Sequence, residues 1–231
     1  MIRAIVFDLD GVLVDSEPVW EQVRRRYVAE HGGFWQADTQ SRLMGMSTPE
    51  WARYLSQELG VDRTPHQVAE DVVEQMTRQY AVAVPLIDAA VPVVRRLAAR
   101  WPLGVASSSP ARLIQAALDA ADLAGTFRVA LSTEQMRRGK PAPDVYLAAA
   151  AALGMEPADC AAVEDSSNGV RSAAAAGMRV VAVPAAAYPL DEDAAGRATV
   201  TLTAIGELTG ATIEALALGS GPAGAGAGAG G

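Results

Sequence analysis

Ile2-Arg3-Ala4-Ile5-Val6-Phe7-Asp8-Leu9-Asp10-Gly11 is an apolar run that ends in two carboxylates and a glycine. Side chains alternate across a strand, so Asp8 and Asp10, spaced i and i+2, share a face. Two acids on one face at a strand end repel each other unless a cation or a proton is shared between them. In an open parallel α/β sheet, the carboxyl ends of strands are also where ligands bind. The stretch equally suits a turn, because Asp and Gly are common turn formers. It is not a helix-loop-helix calcium loop, which needs glycine at its sixth position and glutamate at its twelfth.

Outward from this strand, apolar runs alternate with helical patterns. The runs predict strands near 2–7, 102–107, 127–131, 160–164, 179–183 and, more weakly, 198–202. Helices are expected near 88–100, 110–122, 142–153 and 167–176, with Pro110 and Pro141 near two starts and Gly154 and Gly177 near two stops. Such alternation predicts an α/β fold, a doubly wound parallel sheet of Rossmann-like type with both faces covered. Residues 16–84 break the rhythm: they carry no strand pattern and read as an inserted all-helical unit, with helices near 17–31, 48–59 and 65–80. The expected division is a core of 1–15 and 85–218, a helical cap of 16–84, and a Gly/Ala tail of 219–231 that should be disordered.

The bulk properties narrow the function class. With 50% hydrophobic residues the chain is globular. A net charge of −8 argues against nucleic-acid and anionic-membrane partners. The single cysteine, Cys160, fits a reducing compartment, and neither a signal peptide nor a bilayer-length apolar stretch is read. A cytoplasmic protein, monomeric and acting on a small molecule, is the expectation.

Three further segments carry chemistry. Leu103-Gly104-Val105-Ala106-Ser107-Ser108-Ser109-Pro110 ends a strand in hydroxyls just before a helix. Serine capping accounts for one hydroxyl, and three favour anion binding. Gly139-Lys140-Pro141-Ala142-Pro143-Asp144 holds the one lysine among 19 basic residues. A compact ammonium meets a charge in a tight site differently from a guanidinium. Glu164-Asp165-Ser166-Ser167-Asn168-Gly169 again joins a strand to a helix. Together with Asp8 and Asp10 it gives four acids at strand ends, and an all-oxygen set points to Mg²⁺. His31 and His66 have no metal-ligand spacing and read as surface residues.

In this order and spacing, the four segments resemble the haloacid dehalogenase-like hydrolases over nearly all of 1–205. The closest likeness is to the sugar-phosphatase/β-phosphoglucomutase-like branch, which has a helical cap. The resemblance implies that Asp8 is the nucleophile and Asp10 the general acid/base. It implies that Ser107, with Ser108 beside it, holds the phosphoryl group and that Lys140 bridges phosphate and nucleophile. Asp165 is implied as a metal ligand with Asp8 and Asp10, and Glu164 as a ligand or a group behind it. The implied activity is Mg²⁺-dependent hydrolysis of a small phosphomonoester, a sugar phosphate, through an aspartyl-phosphate.

The resemblance also implies rivals: a β-phosphoglucomutase-like phosphomutase, a phosphoglycolate phosphatase-type hydrolase, and a non-catalytic sugar-phosphate sensor. The mutase of this branch has histidine where Trp20 stands. Members that displace halide lack an aspartate at the Asp10 position, and phosphonate-cleaving members need a cap lysine that this chain does not have. Cap candidates for substrate contact are Glu17, Trp20, Gly45, Met46 and Ser47, with Arg42 and Arg53 as second-phosphate contacts. Trp20 reads first as core packing. The run Arg24-Arg25-Arg26 reads as a mostly solvated helix face. Tyr188 and Asp191-Glu192-Asp193 are placed in a loop without a role, and Cys160 in a buried strand as an inert thiol.

Overall fold

The computed structural model describes residues 1–44 and 46–217. Gly45 and the 219–231 tail lie outside the described residues. In chain order the core strands are β1 (Ala4–Phe7), β2 (Leu103–Ser107), β3 (Phe127–Ser132), β4 (Cys160–Glu164), β5 (Arg179–Ala182) and β6 (Val200–Thr201). All pair in parallel in the order β3-β2-β1-β4-β5-β6. The chain winds outward from β1 to one edge, then returns to β4 and winds to the other. The reversal falls between β1 and β4, which is where doubly wound sheets open a ligand crevice.

Before β2 come α1 (Glu17–Glu30), α2 (Thr39–Leu43), α3 (Thr48–Gln57), α4 (Pro65–Val82) and α5 (Ala90–Ala98). After it come α6 (Ala111–Ala120), α7 (Asp144–Ala152), α8 (Ser167–Ala175), α9 (Glu192–Arg197) and α10 (Gly210–Ala215). Both faces of β1 are buried: Ala4 and Val6 pack with α7 and α8, while Ile5 and Phe7 pack with α5 and α6. This two-sided burial is why the strand reads as a continuous apolar run. Among the described residues, no helix is long and apolar enough to cross a membrane.

Helices α1 to α4 form the insertion. Capping boxes start two of them, Ser47 with Glu50 on α3 and Thr64 with Gln67 on α4, each with a proline in the first turn. The chain leaves and returns to the sheet side by side: Val14 bridges Leu86 in antiparallel fashion, and Asp15 N donates to Pro85 O at 2.8 Å. One apolar cluster runs from Ile5 and Phe7 through Leu13 into Trp20, Tyr27 and Trp51. The insertion therefore packs onto the sheet unit.

The sequence pattern did not anticipate three short helices, α2, α9 and α10. Helix α9 corrects the reading of 191–193 as a loop without a role. Asp191 is its N-cap, accepting from Ala194 N at 3.0 Å, and Arg171 binds Asp191 and Asp193. The helix has only six residues, so it shows too few turns for a period to be read.

Candidate active site

The reacting end of the molecule is assembled at the reversal point of the sheet. Asp8 follows the last residue of β1, and Glu164 ends β4, its neighbour. Asp8 N donates to Val163 O at 2.9 Å, which ties the two strand ends together. Gly11 then turns the chain with φ at +74°, a left-handed conformation that glycine adopts without cost. Asp165 lies directly against it.

Lys140 comes from the loop before α7 and is 4% exposed. Its Nζ stands 3.0 Å from Asp8 Oδ1 and 2.6 Å from Glu164 Oε1. Tyr146, one turn into α7, donates to the same Glu164 oxygen at 2.7 Å. The other oxygen, Oε2, accepts from Asp165 N at 3.1 Å, Ser166 N at 3.3 Å and Ser166 Oγ at 3.2 Å. Glu164 is thus engaged on both oxygens. Its carboxyl fills the space that a side chain on Gly169 would occupy, since a Cβ there would stand 1.9 Å from it.

The electrostatics follow from this packing. Burial pushes the Asp8 carboxyl up to about 8; Lys140 opposes the rise, and Glu164 and Asp10 add to it. Asp165 is raised well above the carboxylate range by burial, then by Glu164 and Asp8. Burial pulls the Lys140 ammonium down, yet Asp8 and Glu164 outweigh it and hold it above the ordinary lysine range. Asp8, Glu164 and Asp165 offer carboxylate oxygens within 4.8 Å of one another. Asp8 Oδ1 is buried without an aligned hydrogen bond. Three close carboxylates facing one ammonium form an under-neutralised, all-oxygen cluster that fits a hard divalent cation.

Asp10 accepts from Ser16 Oγ at 2.5 Å on Oδ1, and from Ser107 Oγ at 3.2 Å and Ser109 Oγ at 2.6 Å on Oδ2. Its carboxylate is therefore held by three hydroxyls and stands outside the three-acid cluster. Ser107, expected at the phosphate, is fully buried, and its hydroxyl is committed to Asp10 and to Ser109 N. Ser108 and Ser109 line the cavity, Ser109 with its hydroxyl also turned to Asp10.

That cavity measures about 60 Å³ and lies between Asp8, Asp10, Lys140 and Asp165 below and the insertion above. Glu17, Trp20 and Arg24 descend from one face of α1, at i, i+3 and i+7. Arg24 is 5% exposed, with its guanidinium carbon 4.4 Å from the Trp20 ring centroid and 5.0 Å from that of Trp51. Burial brings it down to about 10, against the pull of Glu17 and Asp10. Glu17 is raised by burial, with Arg24 opposing, and accepts from Gln40 Nε2 at 2.6 Å.

Of the residues expected from sequence, the cavity gathers Asp8, Asp10, Lys140, Asp165, Ser108, Glu17, Trp20 and Met46. Glu164 lies just beneath, joined through Lys140. Ser47 faces a neighbouring cleft of about 710 Å³ that also reaches Lys140. Arg42 is exposed and paired with Asp38, and neither it nor Arg53 lines the cavity. Arg25 and Arg26 are exposed, as a mostly solvated face requires, and Arg24 is the buried member of the run. Its signal was present in the i+7 spacing from Glu17. Ser16, Thr48, Trp51 and Tyr146 carry no sequence signal of their own, and the structure brings them to the site.

Comparison with known proteins now bears on this geometry. The model of the haloacid dehalogenase-like hydrolase family matches residues 2–177. Hexitol phosphatase B of Escherichia coli (strain K12) is 34% identical over 191 residues, covering 80% of this chain and 84% of that protein. Fructose-1-phosphate phosphatase YqaB of the same organism is 29% identical over 184 residues, covering 78% and 95%. The crystal structure of CbbY from Rhodobacter sphaeroides in complex with phosphate superposes with a TM-score of 0.81 at 26% identity, covering 92% of this chain and 99% of that one. Four motifs meeting at one sheet reversal, with a family model spanning most of the sequence, give one conclusion: the chain belongs to the haloacid dehalogenase-like hydrolases.

Proposed function

We propose that this hydrolase is a Mg²⁺-dependent phosphatase of small sugar phosphates. The observation that carries the reading is the convergence of Asp8, Lys140 and Asp165, from three distant segments, on one cavity. The phosphatase names of the hexitol and fructose-1-phosphate relatives support the substrate class. Beside Asp8 the floor of the cavity offers a phosphate dianion the Lys140 ammonium, and a cation held by Asp8 and Asp165 would supply further positive charge at the phosphoryl oxygens.

The chain's own groups divide the work. Asp8 attacks phosphorus and becomes an aspartyl-phosphate. Lys140 offsets charge between the nucleophile and the incoming phosphoryl oxygens, and Glu164 and Tyr146 hold its chain in place. Asp10 gives a proton to the departing alkoxide and takes one from the water that hydrolyses the intermediate, a role worth about 10²–10⁴-fold. Ser108 lines the phosphate side of the cavity, and Ser107 and Ser109 hold Asp10 beside it.

Residues 16–84 act as a cap over a core of 1–15 and 85–218. A cavity of about 60 Å³ is far below the roughly 300–1,000 Å³ of small-molecule sites, so a sugar phosphate enters when the insertion swings away. The paired linkers at Val14 and Leu86 form the pivot. Inorganic phosphate release from a panel of sugar phosphates, with Mg²⁺ and with chelator, tests the reading. Mg²⁺-dependent turnover is expected; tight binding of a sugar phosphate without any turnover would favour a sensor. Isotopically labelled phosphate that ends on a sugar would favour a phosphomutase.

A further inference from the structure

The insertion wall of the cavity carries polar atoms that find no hydrogen-bond partner among the described residues. Arg24 Nε and Thr48 Oγ1 are both buried without a hydrogen-bond partner, at 5% and 9% residue exposure, and both residues line the cavity. Behind them Gln40 Oε1 is likewise orphaned, while its amide nitrogen donates to Glu17. Leaving such groups unmet is costly in a buried site, so they mark where a ligand completes the hydrogen bonding. The Arg24 guanidinium is fixed by stacking with two indole rings, Trp20 and Trp51, which restricts where its N–H groups can point.

The wall offers donors and acceptors side by side. Arg24 only donates, Glu17 as a carboxylate only accepts, and the Thr48 hydroxyl does both. A second phosphate or a carboxylate on the substrate would suit Arg24 but would meet Glu17 on the same helix face, above a floor already crowded with Asp8, Asp10 and Asp165. A hydroxyl both donates and accepts, so adjacent hydroxyls can bridge the two charges.

Building on the phosphatase reading, we propose that Arg24, assisted by Thr48, is a specificity-determining residue that binds the hydroxyls of an uncharged, polyhydroxylated leaving group. The enzyme then selects sugar or sugar-alcohol monophosphates over substrates that bring a second anion.

The test compares kcat/KM for a hexitol phosphate, a pentulose bisphosphate, phosphoglycolate and nitrophenyl phosphate, in the parent and in Arg24→Met, Arg24→Lys and Thr48→Val. The parent should prefer the hexitol phosphate. In Arg24→Met, the ratio of hexitol phosphate to nitrophenyl phosphate kcat/KM should fall roughly ten- to a hundredfold, as expected for a lost charged hydrogen bond. Thr48→Val should lower the same ratio by about three- to tenfold, and Arg24→Lys should recover part of the loss. Equal losses on every substrate would overturn the proposal and leave Arg24 as packing between the tryptophans. A parental preference for the bisphosphate or phosphoglycolate that vanishes in Arg24→Met would overturn it in favour of anion recognition. Nitrophenyl phosphate turnover with no polyol preference sinks the Arg24 assignment alone, whereas no turnover of any ester sinks the phosphatase reading and the proposal with it.

Discussion

Asp165 occupies the place where Gly11 would carry a side chain: a Cβ on Gly11 would stand 1.9 Å from Asp165 Oδ2. The turn after β1 and the end of β4 are therefore fitted to each other through a missing methyl group. Gly11→Ala should displace the Asp165 carboxylate, and its left-handed backbone adds about 1–2 kcal/mol of strain. We expect Mg²⁺ affinity or turnover to fall about 10–100-fold. Calorimetric Mg²⁺ titration and steady-state phosphate release would check this, and parental values for both would show that the Asp165 position is immaterial.

Asp8→Asn should abolish turnover with the fold intact, because it removes the proposed nucleophile while keeping the side chain's shape. Activity at the parental rate would remove Asp8 from the chemistry. Lys140→Arg should also be severe. The ammonium sits 3% exposed between two carboxylates, and a planar guanidinium needs more room and a different approach. A kcat loss of at least about a hundredfold is expected, measured against circular dichroism to confirm folding.

Glu164→Gln separates a structural role from a metal-binding one. The substitution keeps the volume but removes the charge that faces Lys140 and turns an amide toward backbone donors. Breaking a buried pair on one side costs about 3–5 kcal/mol, readable by chemical denaturation. Mg²⁺ affinity should change less than in Asp165→Asn. The reverse ranking would make Glu164 the principal ligand.

The pH dependence of stability has a definite sign. The folded chain holds the Asp8 proton up to about 8, against an ordinary value of 3.8. Between those values the folded state binds more protons than the unfolded one, so in the metal-free protein this group's contribution falls as pH rises through the window. A cation favours the ionised carboxylate and offsets the loss. Thermal melts with chelator should therefore drop in Tm from about pH 5 to about pH 8, and Mg²⁺ should raise Tm more at the higher pH. An increment from Mg²⁺ that shrinks with rising pH would contradict the assignment.

Much of this molecule is legible in its residues because strong local signals coincide with tertiary need. Buried parallel strands require apolar runs, and the sheet reversal requires its chemistry at strand ends, so Asp8, Glu164 and Asp165 announce themselves. The serine run is harder to read, because three consecutive serines leave a strand into a turn. Alternation no longer tells which hydroxyl faces the cavity, and Ser107 and Ser109 both donate to Asp10. The run Arg24-Arg25-Arg26 does not announce which of its members is buried. Arg24 lies against Trp20 on its own helix and against Trp51 of α3, which is remote in sequence. Edge strand β6 spans only two residues, Val200–Thr201, where partial exposure weakens the apolar signal.

The adjoining linkers carry one last implication. Asp15 and Pro85 are hydrogen-bond neighbours, so to the sheet the whole helical segment counts as a loop of almost no span. On the proposed reading, a segment joined through so narrow a seam can be exchanged without disturbing the catalytic floor. A graft between these two positions should transplant substrate preference, provided that the borrowed piece brings an apolar underside to meet Leu13 and Phe7.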